Sequence, residues 1–320
     1  MKNKLVFVII ILFTVVNLLP GCTEKETINR VYVDVGGNGD YENIQDAIDN
    51  VSEGYTIIVK DGVYFEKLSI DKSINLVAEG KDRPIITSKM NPDSIFENII
   101  SINANKCSIK GLNISCSIQD GNLIGINIES SGNIIQNNII SCPYKGIFID
   151  ELSKNNKISQ NNIFNSIYGI EIDRSEDSEI FENYIKSCEV DGIYVYGGEK
   201  NLIYNNNLSE NKYGIQIKGG KRNEISQNYF VKNEFGIFLC CTSRNNVVFN
   251  NNFIENYNWS ARDDIRNQWD NGKTGNYWDD YKQLYPDAVQ IDGIWSIPYT
   301  ITGLTEDNKD YFPLVNPYSH

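Results

Sequence analysis

Apolar and polar residues alternate in short runs through the second half of the chain, and each run follows a Gly-Ile pair. After Gly169, for example, Ile170 and Ile172 flank a polar residue, and turn-forming residues follow. The same pattern recurs at Ile193 and Val195, Ile215 and Ile217, and Ile237 and Leu239. A period of two predicts β-strands, because successive side chains of a strand point to opposite faces. The chain therefore predicts many short strands separated by turns.

This strand pattern repeats at a nearly constant interval. The Gly-Ile pairs begin at Gly125, Gly146, Gly169, Gly192, Gly214 and Gly236, with steps of 21, 23, 23, 22 and 22 residues. Asn residues recur in phase with them at Asn137, Asn161, Asn183, Asn206, Asn228 and Asn251. A fixed period of this size indicates stacked units, each of which buries its apolar side against its neighbours.

The recurring Asn has two expected structural roles. Asn tolerates the left-handed backbone that a tight corner demands. Stacked Asn amides can also hydrogen-bond from one unit to the next, as they do in cross-β ladders.

A leucine-rich repeat has a similar period and is the main alternative fold. That fold needs Leu at most framework positions, whereas residues 125–258 contain four Leu and 22 Ile. β-Branched Ile favours pleated strands, and the unit leaves no room for a helix. The predicted fold is therefore all-β: a right-handed parallel β-helix, a solenoid with coils of about 22 residues.

Two stretches resemble known β-helix families. Residues 122–258 resemble the repeats of the carbohydrate-binding and sugar-hydrolase (CASH) group, and more closely the NosD-like family. Near the N terminus, Gly-Asp-Tyr (39–41), Ile-Gln-Asp-Ala-Ile (44–48) and Asp-Gly-Val-Tyr (61–64) follow one another. The run resembles the opening of pectate-lyase-like and pectin-esterase-like β-helices. These resemblances imply a β-helix that acts on carbohydrate, and the NosD-like name also implies copper delivery.

Both ends of the predicted solenoid have their own pattern. Residues 44–51 place four apolar residues on one face of a short helix, for which Asp40 is the expected N-cap. Such a helix would cover the unpaired strand edges at the open end of the solenoid. All four Trp lie in residues 259–295, where the repeat ends. This composition predicts an aromatic C-terminal cap, with sugar stacking on an exposed Trp as the alternative.

The N terminus has the pattern of an export signal. Lys2 and Lys4 precede an apolar run of 12 residues, Leu5–Val16, and Leu-Pro-Gly-Cys ends at Cys22. The run is too short to span a bilayer, but it fits a signal-peptide core. The last four residues resemble a lipobox, which implies lipid attachment at Cys22 and a position on the outer face of the cell membrane. Cleavage without lipidation and an uncleaved anchor are the alternatives.

The predicted organisation is a signal peptide at 1–22, a linker at 23–35, the β-helix at 36–258 and the C-terminal cap at 259–320. We expect this protein to be a monomer with one large domain.

Charge and composition exclude several classes of partner. The formal net charge is −13, and loss of Lys2 and Lys4 with the signal peptide takes it to −15. Such an acidic chain repels phosphate backbones, so nucleic acid is not an expected partner. His320 is the only histidine. A Ser-His-Asp triad and His-ligated zinc or copper are therefore not expected.

Two pairs of cysteines lie close together in the predicted fold. Cys116 and Cys142 occupy equivalent corners of neighbouring coils, where they either fill the interior or form a disulfide. Cys240 and Cys241 are adjacent at a turn, and two thiols alone do not make a metal site.

The outer face of the repeating strand carries the candidate ligand residues. If the Ile after each Gly points inward, positions two and four after that Gly point outward together. Position four then forms a column of Glu129, Asp150 and Asp173, followed by Tyr196 and Lys218. Stacked carboxylates repel one another, which predicts a raised pKa or a bound cation such as calcium. The predicted carbohydrate-binding residues are Phe148, Asp150, Glu171, Asp173, Tyr194 and Tyr196.

The predicted function is binding or processing of polysaccharide at the cell surface. A binding or structural module is favoured over an enzyme, because the catalytic strings of pectin-esterase-like and polygalacturonase-like proteins are absent from the sequence. The alternatives are a lyase or epimerase acting on uronic-acid polymers, and a NosD-like copper accessory protein. For an enzyme, the candidate catalytic residues are Asp150, Glu171 and Asp173; for a metal site, the candidate ligands are Glu129, Asp150 and Asp173.

Overall fold

The structure is a computed structural model, and it describes residues 29–88, 95–116, 121–305 and 307–319. The predicted signal peptide, Cys22 and His320 lie outside the described residues. Within the described ranges, no helix is long and apolar enough to cross a membrane.

The chain winds into a parallel β-solenoid with three sheets of 10, 10 and 9 strands. Each full coil contributes one strand to each sheet in turn. Every strand pairs, parallel and in register, with its equivalent in the next coil, as Ile147 pairs with Ile170 and Ile170 with Ile193. The predicted all-β parallel β-helix is confirmed.

The strands fall into three sets, which we name the first, second and third sheets in the order in which a coil visits them. The first sheet contains Arg30–Val33, Thr56–Val59, Asn75–Ala78, Ser108–Lys110, Ile134–Gln136, Lys157–Ser159, Glu179–Phe181, Leu202–Tyr204, Glu224–Ser226 and Val247–Phe249. The second sheet contains Val63–Phe65, Ile85–Thr87, Asn113–Ser115, Ile139–Ser141, Asn162–Phe164, Tyr184–Lys186, Asn207–Ser209, Tyr229–Val231, Asn252–Ile254 and Tyr277–Trp278. The third sheet contains Leu68–Ile70, Glu97–Ile102, Leu123–Ile128, Lys145–Ile149, Tyr168–Asp173, Asp191–Tyr196, Tyr213–Lys218, Phe235–Cys240 and Trp259–Asp263.

The remaining elements lie at the two ends of the solenoid. Helix α1 spans Ile44–Asn50 and helix α2 spans Tyr281–Leu284. Two short antiparallel pairs complete the C-terminal end: Gln290–Ile291 with Ile294–Trp295, and Tyr299–Thr300 with Lys309–Asp310.

Ile side chains from all three sheets fill the interior. In one coil, Ile158, Ile163, Ile170 and Ile172 are each 0% exposed. Because equivalent residues of successive coils are in register, each Ile packs on the Ile of the coil before it. Each added coil therefore removes further apolar surface from water.

Buried Asn side chains form continuous ladders at the corners of the coils. The Asn183 Nδ2 donates to Oδ1 of Asn206 at 3.0 Å and to the carbonyl oxygen of Ile158 at 2.8 Å. The main ladder consists of Asn138, Asn161, Asn183, Asn206, Asn228, Asn251 and Asn276. The predicted hydrogen bonding between stacked amides is confirmed.

Two details of the Asn prediction are wrong. The first member of the ladder is Asn138, whereas Asn137 precedes it. The left-handed residue is also the one before the ladder Asn, in each coil from Asn138 to Asn251: Asn137, Gln160, Glu182, Asn205, Gln227 and Asn250, with φ between 55° and 60°. That residue turns the chain, and the Asn after it then points inward, where it satisfies the backbone of the preceding coil, as Asn183 does by accepting from the Asn161 N–H and donating to the Ile158 carbonyl oxygen.

The N-terminal end begins earlier than predicted. The strand Arg30–Val33 pairs with Thr56–Val59, so the first sheet starts inside the predicted linker at 23–35. Helix α1 forms where the apolar spacing places it, with Ile44, Ala47 and Ile48 buried.

The N-cap assignment of Asp40 is wrong. The Asp40 carboxylate accepts the N–H of Tyr32 at 2.8 Å. The first N–H groups of α1, those of Ile44 and Gln45, instead donate to the Glu66 carboxylate at 2.9 Å each. A residue distant in sequence therefore supplies the cap. The first coil brings Glu66, which follows the strand Val63–Phe65, back to the start of the helix.

The C-terminal cap continues the interior as a stack of aromatic rings. Trp278 lies between Phe253 and Tyr299, with ring centroids 4.3 and 4.1 Å apart. Trp269 and Trp278 are each 1% exposed. Trp259 differs from them, because its strand, Trp259–Asp263, belongs to the third sheet and extends the solenoid beyond the predicted boundary at residue 258.

Of the two alternatives for Cys116 and Cys142, the structure contains the disulfide, with Cα atoms 5.1 Å apart. The Sγ atoms of Cys240 and Cys241 lie 2.9 Å apart at the end of a third-sheet strand.

Candidate functional site

The repeating glycine shapes the outer face of the third sheet. A Cβ added at Gly169 would lie 2.6 Å from the carbonyl oxygen of Gly192 and 2.6 Å from Cγ2 of Ile185. Only glycine therefore lets the coils stack this closely. The glycine also interrupts the alternation of the strand. Tyr168, the residue before it, lies on the outer face and stacks on Tyr194 with ring centroids 5.6 Å apart.

Each third-sheet strand consequently presents three outward positions, which stack into three columns. We name them the leading, middle and trailing columns. The leading column holds Lys145, Tyr168, Asp191, Tyr213, Phe235 and Trp259. The middle column holds Phe148, Glu171, Tyr194, Gln216, Phe238 and Arg262. The trailing column holds Glu129, Asp150, Asp173, Tyr196, Lys218 and Cys240.

A buried ion pair lies where the leading and middle columns meet. The Lys145 Nζ is 3.0 Å from Oε2 of Glu171, and the two side chains are only 9% and 13% exposed. The same Nζ lies 3.7 Å from the ring centroid of Phe148 and 5.0 Å from that of Tyr144. Burial raises the pKa of Glu171, while the Lys145 ammonium opposes that shift.

Asp191, in the next coil, is buried without a partner. It is 0% exposed, and neither carboxyl oxygen has a hydrogen-bond partner among the described residues. Burial, reinforced by the Glu171 carboxylate, raises the pKa of Asp191 to about 8, whereas Lys212 acts in the opposite direction. A buried polar group without a partner is rare in a native fold, because it gives up its hydrogen bonds to water.

Aromatic rings cover the face on both sides of Asp191. The first group is Phe96, Tyr144, Tyr168 and Tyr194, whose successive centroids are 5.4, 6.1 and 5.6 Å apart. The second group is Tyr213, Phe235, Phe238 and Trp259, which includes the closest pair, Phe235 and Trp259, at 4.2 Å. In the leading column, Asp191 lies between Tyr168 of the first group and Tyr213 of the second.

The carboxylates of the trailing column are hydrogen-bonded. The Asp173 carboxylate accepts from Arg174 Nε at 2.9 Å, and Asp150 accepts the N–H of Glu151 at 2.7 Å. Glu129 accepts from the Asn127 amide at 2.7 Å. These carboxylates therefore have donors near them in sequence.

The metal-site hypothesis gains no support from the geometry. Within the ranges that the structure describes, no three His, Cys, Asp or Glu side chains converge as metal ligands would. Glu129, Asp150 and Asp173 thus follow one another along the column without forming a shared cage.

The predicted site residues divide between two places. The middle column, beside the buried Lys145–Glu171 pair, holds Phe148, Glu171 and Tyr194. The trailing column holds Asp150, Asp173 and Tyr196. Tyr196 lines a cavity of about 270 Å³ together with Arg174, Gly197, Lys218, Gly219, Cys241 and Thr242.

The leading column, which includes Lys145, Tyr168, Asp191 and Tyr213, was not predicted from the sequence. Strict alternation places the residue before each glycine on the inner face. A charged residue at that position in two coils, Lys145 and Asp191, was the signal that the alternation breaks there.

Comparison with known proteins agrees with this architecture. Residues 124–272 match the family model described as right handed beta helix region. The Dettilon tailspike protein superposes with a TM-score of 0.64 at 16% identity, over 81% of this chain and 57% of that one. XylC in complex with xylose gives 0.62 at 13% identity, over 78% and 68%, and pectate lyase Pel9A gives 0.51 at 15% identity, over 82% and 83%. The fold is therefore a right-handed β-helix.

Among curated proteins, the probable pectinesterase 67 of Arabidopsis thaliana is 32% identical over 104 residues. The aligned part is 30% of this chain and 30% of that protein. The chain thus spans under two thirds of both the tailspike and the pectinesterase.

Proposed function

We propose that the outer face of the third sheet binds polysaccharide. One observation carries this proposal: two groups of aromatic rings follow the solenoid axis on one face, with buried charged groups between them. Half-buried Tyr and Trp rings present flat apolar surfaces with a polar edge, which suits the faces of sugar rings. An elongated face of this kind fits a polymer better than a small compact ligand.

Polar groups among the rings would fix the orientation of the chain of sugars. The Lys145–Glu171 pair, Gln216 and Arg262 all lie in the leading and middle columns, within the aromatic surface. Ligand sites of this type combine apolar area for affinity with a few placed polar groups for specificity.

The similar sequence and the structural neighbours support the same ligand class. Their names include a tailspike, a pectate lyase, a pectinesterase and a protein solved with xylose. At 13–16% identity the solved structures establish only the shared fold, so the ligand class is carried by the surface of this chain.

Binding of the full-length chain to a polysaccharide panel tests the proposal. The panel should contain xylan, a fructan, a uronic-acid polymer and an amino-sugar polymer. We expect Tyr194→Ala to weaken the binding found by about tenfold, since it removes a ring from the first group. Tyr204→Ala is the matched control, because Tyr204 stacks on Phe181 at 5.0 Å on the first sheet. Absence of binding, or an equal loss in both variants, would refute the proposal.

A second candidate function is cleavage or epimerisation of the bound polymer. Two acids in adjoining coils, Glu171 and Asp191, both have a raised pKa, and such a pair can divide the roles of acid and base. We expect a cleaving enzyme to release new reducing ends or unsaturated uronates from the polymer that binds, whereas an epimerase would invert a sugar carbon without breaking the chain. Glu171→Gln should abolish that release, with a smaller loss of binding. Unchanged release in that variant would exclude Glu171 from the chemistry.

We also propose that the protein is exported and anchored through Cys22 at the outer face of the cell membrane. The Cys116–Cys142 disulfide supports export, because disulfides are rare in reducing cytoplasm. In a detergent phase partition, we expect wild type in the detergent phase and Cys22→Ser in the aqueous phase. Wild type in the aqueous phase would contradict the anchor and leave the proposed ligand unaffected.

A further inference from the structure

Asp191 is an acidic group of the binding face that has no hydrogen-bond partner in the described part of the chain. Both carboxyl oxygens lack a hydrogen-bond partner within the described residues, and the residue is 0% exposed. Lys145, the buried base of the face, is already paired with Glu171 at 3.0 Å. A fold that buries a carboxyl group without a partner bears a cost that a bound ligand can offset.

The surroundings of Asp191 suit a cation. Tyr168 and Tyr213 are its register neighbours in the coils before and after, and Tyr194 lies three residues further along the same strand. Burial, and next the Asp191 carboxylate, raises the pKa of each of these three tyrosines, so the rings and the carboxyl group interact closely. Aromatic faces around a carboxylate attract an ammonium group through the ring quadrupole as well as the charge.

Glu171 and the net charge of the chain favour a cationic ligand at Asp191, whereas Lys212 opposes one. The groups that interact electrostatically with it are Glu171, Lys212, the buried Cys188 thiol and the three tyrosines. Lys212 is exposed, and its Nζ lies 6.0 Å from the ring centroid of Tyr213. The whole chain carries a formal net charge of −13, which attracts cationic polymers and repels polyuronates.

We propose that Asp191 and the rings of Tyr168, Tyr194 and Tyr213 form a subsite for a protonated amine, so that polymers containing free amino sugars are the preferred ligand class. This inference rests on the proposed function. The three rings are only half-buried, and rotation about their side-chain torsions admits the amine between them.

The subsite couples binding to proton release. Without ligand, Asp191 is protonated near neutral pH, because burial raises its pKa to about 8. At about pH 6 an amine also carries its proton. An ion pair then forms only if Asp191 loses its proton to the buffer while the amine keeps its own. We therefore expect release of about one proton per bound amine, and affinity that rises with pH from about 5 to about 7.

Two oligosaccharides of equal length and linkage, one of glucosamine and one of N-acetylglucosamine, provide the test. Calorimetry of the full-length chain at about pH 6, in two buffers of different protonation enthalpy, gives both affinity and proton release. We expect wild type to bind the glucosamine oligomer at least about tenfold more tightly. Asp191→Asn should lose this preference and the proton release, while it retains its affinity for the N-acetylated oligomer. Asp287→Asn, an exposed cap residue, controls for the change in net charge.

The other outcomes distinguish failure of the subsite from failure of the proposed polysaccharide binding. Equal affinity of wild type for the two oligomers, or a preference that survives in Asp191→Asn, would overturn the amine subsite. Binding of only a neutral or uronic-acid oligomer would also overturn it, and would leave the proposed polysaccharide binding intact. If none of the glycans binds, the proposed function itself fails, and the subsite with it.

Discussion

Asn206 shows how one buried residue connects three coils. Its Nδ2 donates to the carbonyl oxygen of Ile180 at 2.8 Å and to Oδ1 of Asn228 at 3.0 Å. Its own Oδ1 accepts from the N–H and the Nδ2 of Asn183, both at 3.0 Å. A polar residue that is 0% exposed can be tolerated in this interior because both ends of its amide are satisfied.

Loss of one ladder amide should therefore destabilise the protein more than loss of the side chain that precedes it in sequence. We expect Asn206→Ala to lower the free energy of unfolding by about 3 kcal/mol, because buried backbone groups lose their partners. Asn205, with φ 57°, supplies only the left-handed turn, so Asn205→Gly should change stability by less than about 1 kcal/mol. Chemical denaturation of both variants measures the difference, and equal effects would show that the ladder contributes little.

The buried Asp191 should make the stability of the protein depend on pH. Its folded pKa of about 8 lies above its ordinary value of 3.8, so the folded state keeps a proton that the unfolded state releases. This contribution to stability falls as pH rises from about 4 to about 8 and is constant above that range. Glu171 shifts in the same direction and remains in the variant. We expect the melting temperature of wild type relative to Asp191→Asn to fall between about pH 5 and pH 8. A constant difference would show that Asp191 does not titrate in this window.

At the scale of the element, the third-sheet strand is an interrupted strand. The glycine allows close stacking and also brings the residue before it to the outer face. We expect Gly169→Ala to destabilise the protein by about 2 kcal/mol or more, since its Cβ would meet the Gly192 carbonyl oxygen at 2.6 Å.

Gly54→Ala is the matched control for this prediction. Gly54 has φ +81° and nothing within 4 Å of an added Cβ, so alanine there carries only backbone strain of about 1 kcal/mol. Thermal melting of the two variants compares crowding with strain. A larger loss of stability in Gly54→Ala than in Gly169→Ala would mean that the coils move apart easily at Gly169.

The structure of the strand also explains which inward and outward residues could be predicted from the sequence and which could not. The inward residues Ile170 and Ile172 follow from alternation and the repeat, which depend only on local periodicity. The same rule identified Glu171 and Tyr194 on the outer face. It missed Tyr168 and Asp191, because the interruption at the glycine arises from contact with the next coil. Likewise, the Cys116–Cys142 disulfide and the cap supplied by Glu66 depend on distances between coils, which periodicity alone does not give.

At the scale of the whole molecule, a solenoid must close its two ends. The last strands of each sheet would otherwise present unpaired N–H and C=O groups to other chains. At the N-terminal end, the Gln45 side chain of α1 replaces a missing strand. Its Oε1 accepts the N–H of Ser69 at 2.9 Å, and its Nε2 donates to the Ser69 carbonyl oxygen at 3.2 Å. This gives a physical reason for the Gln of the Ile-Gln-Asp-Ala-Ile motif.

Removal of this closure should lead to association between chains. We expect deletion of residues 36–54 to cause aggregation, because it exposes the strand Leu68–Ile70 and the apolar residues against which α1 packs. Gln45→Ala is the milder variant: it keeps the helix but frees both backbone groups of Ser69, so we expect soluble protein with increased self-association. Light scattering against concentration measures both effects, and Gln283→Ala, an exposed change in the C-terminal cap, is the control. If both α1 variants are monomeric and have the melting temperature of wild type, α1 does not protect the sheet edge.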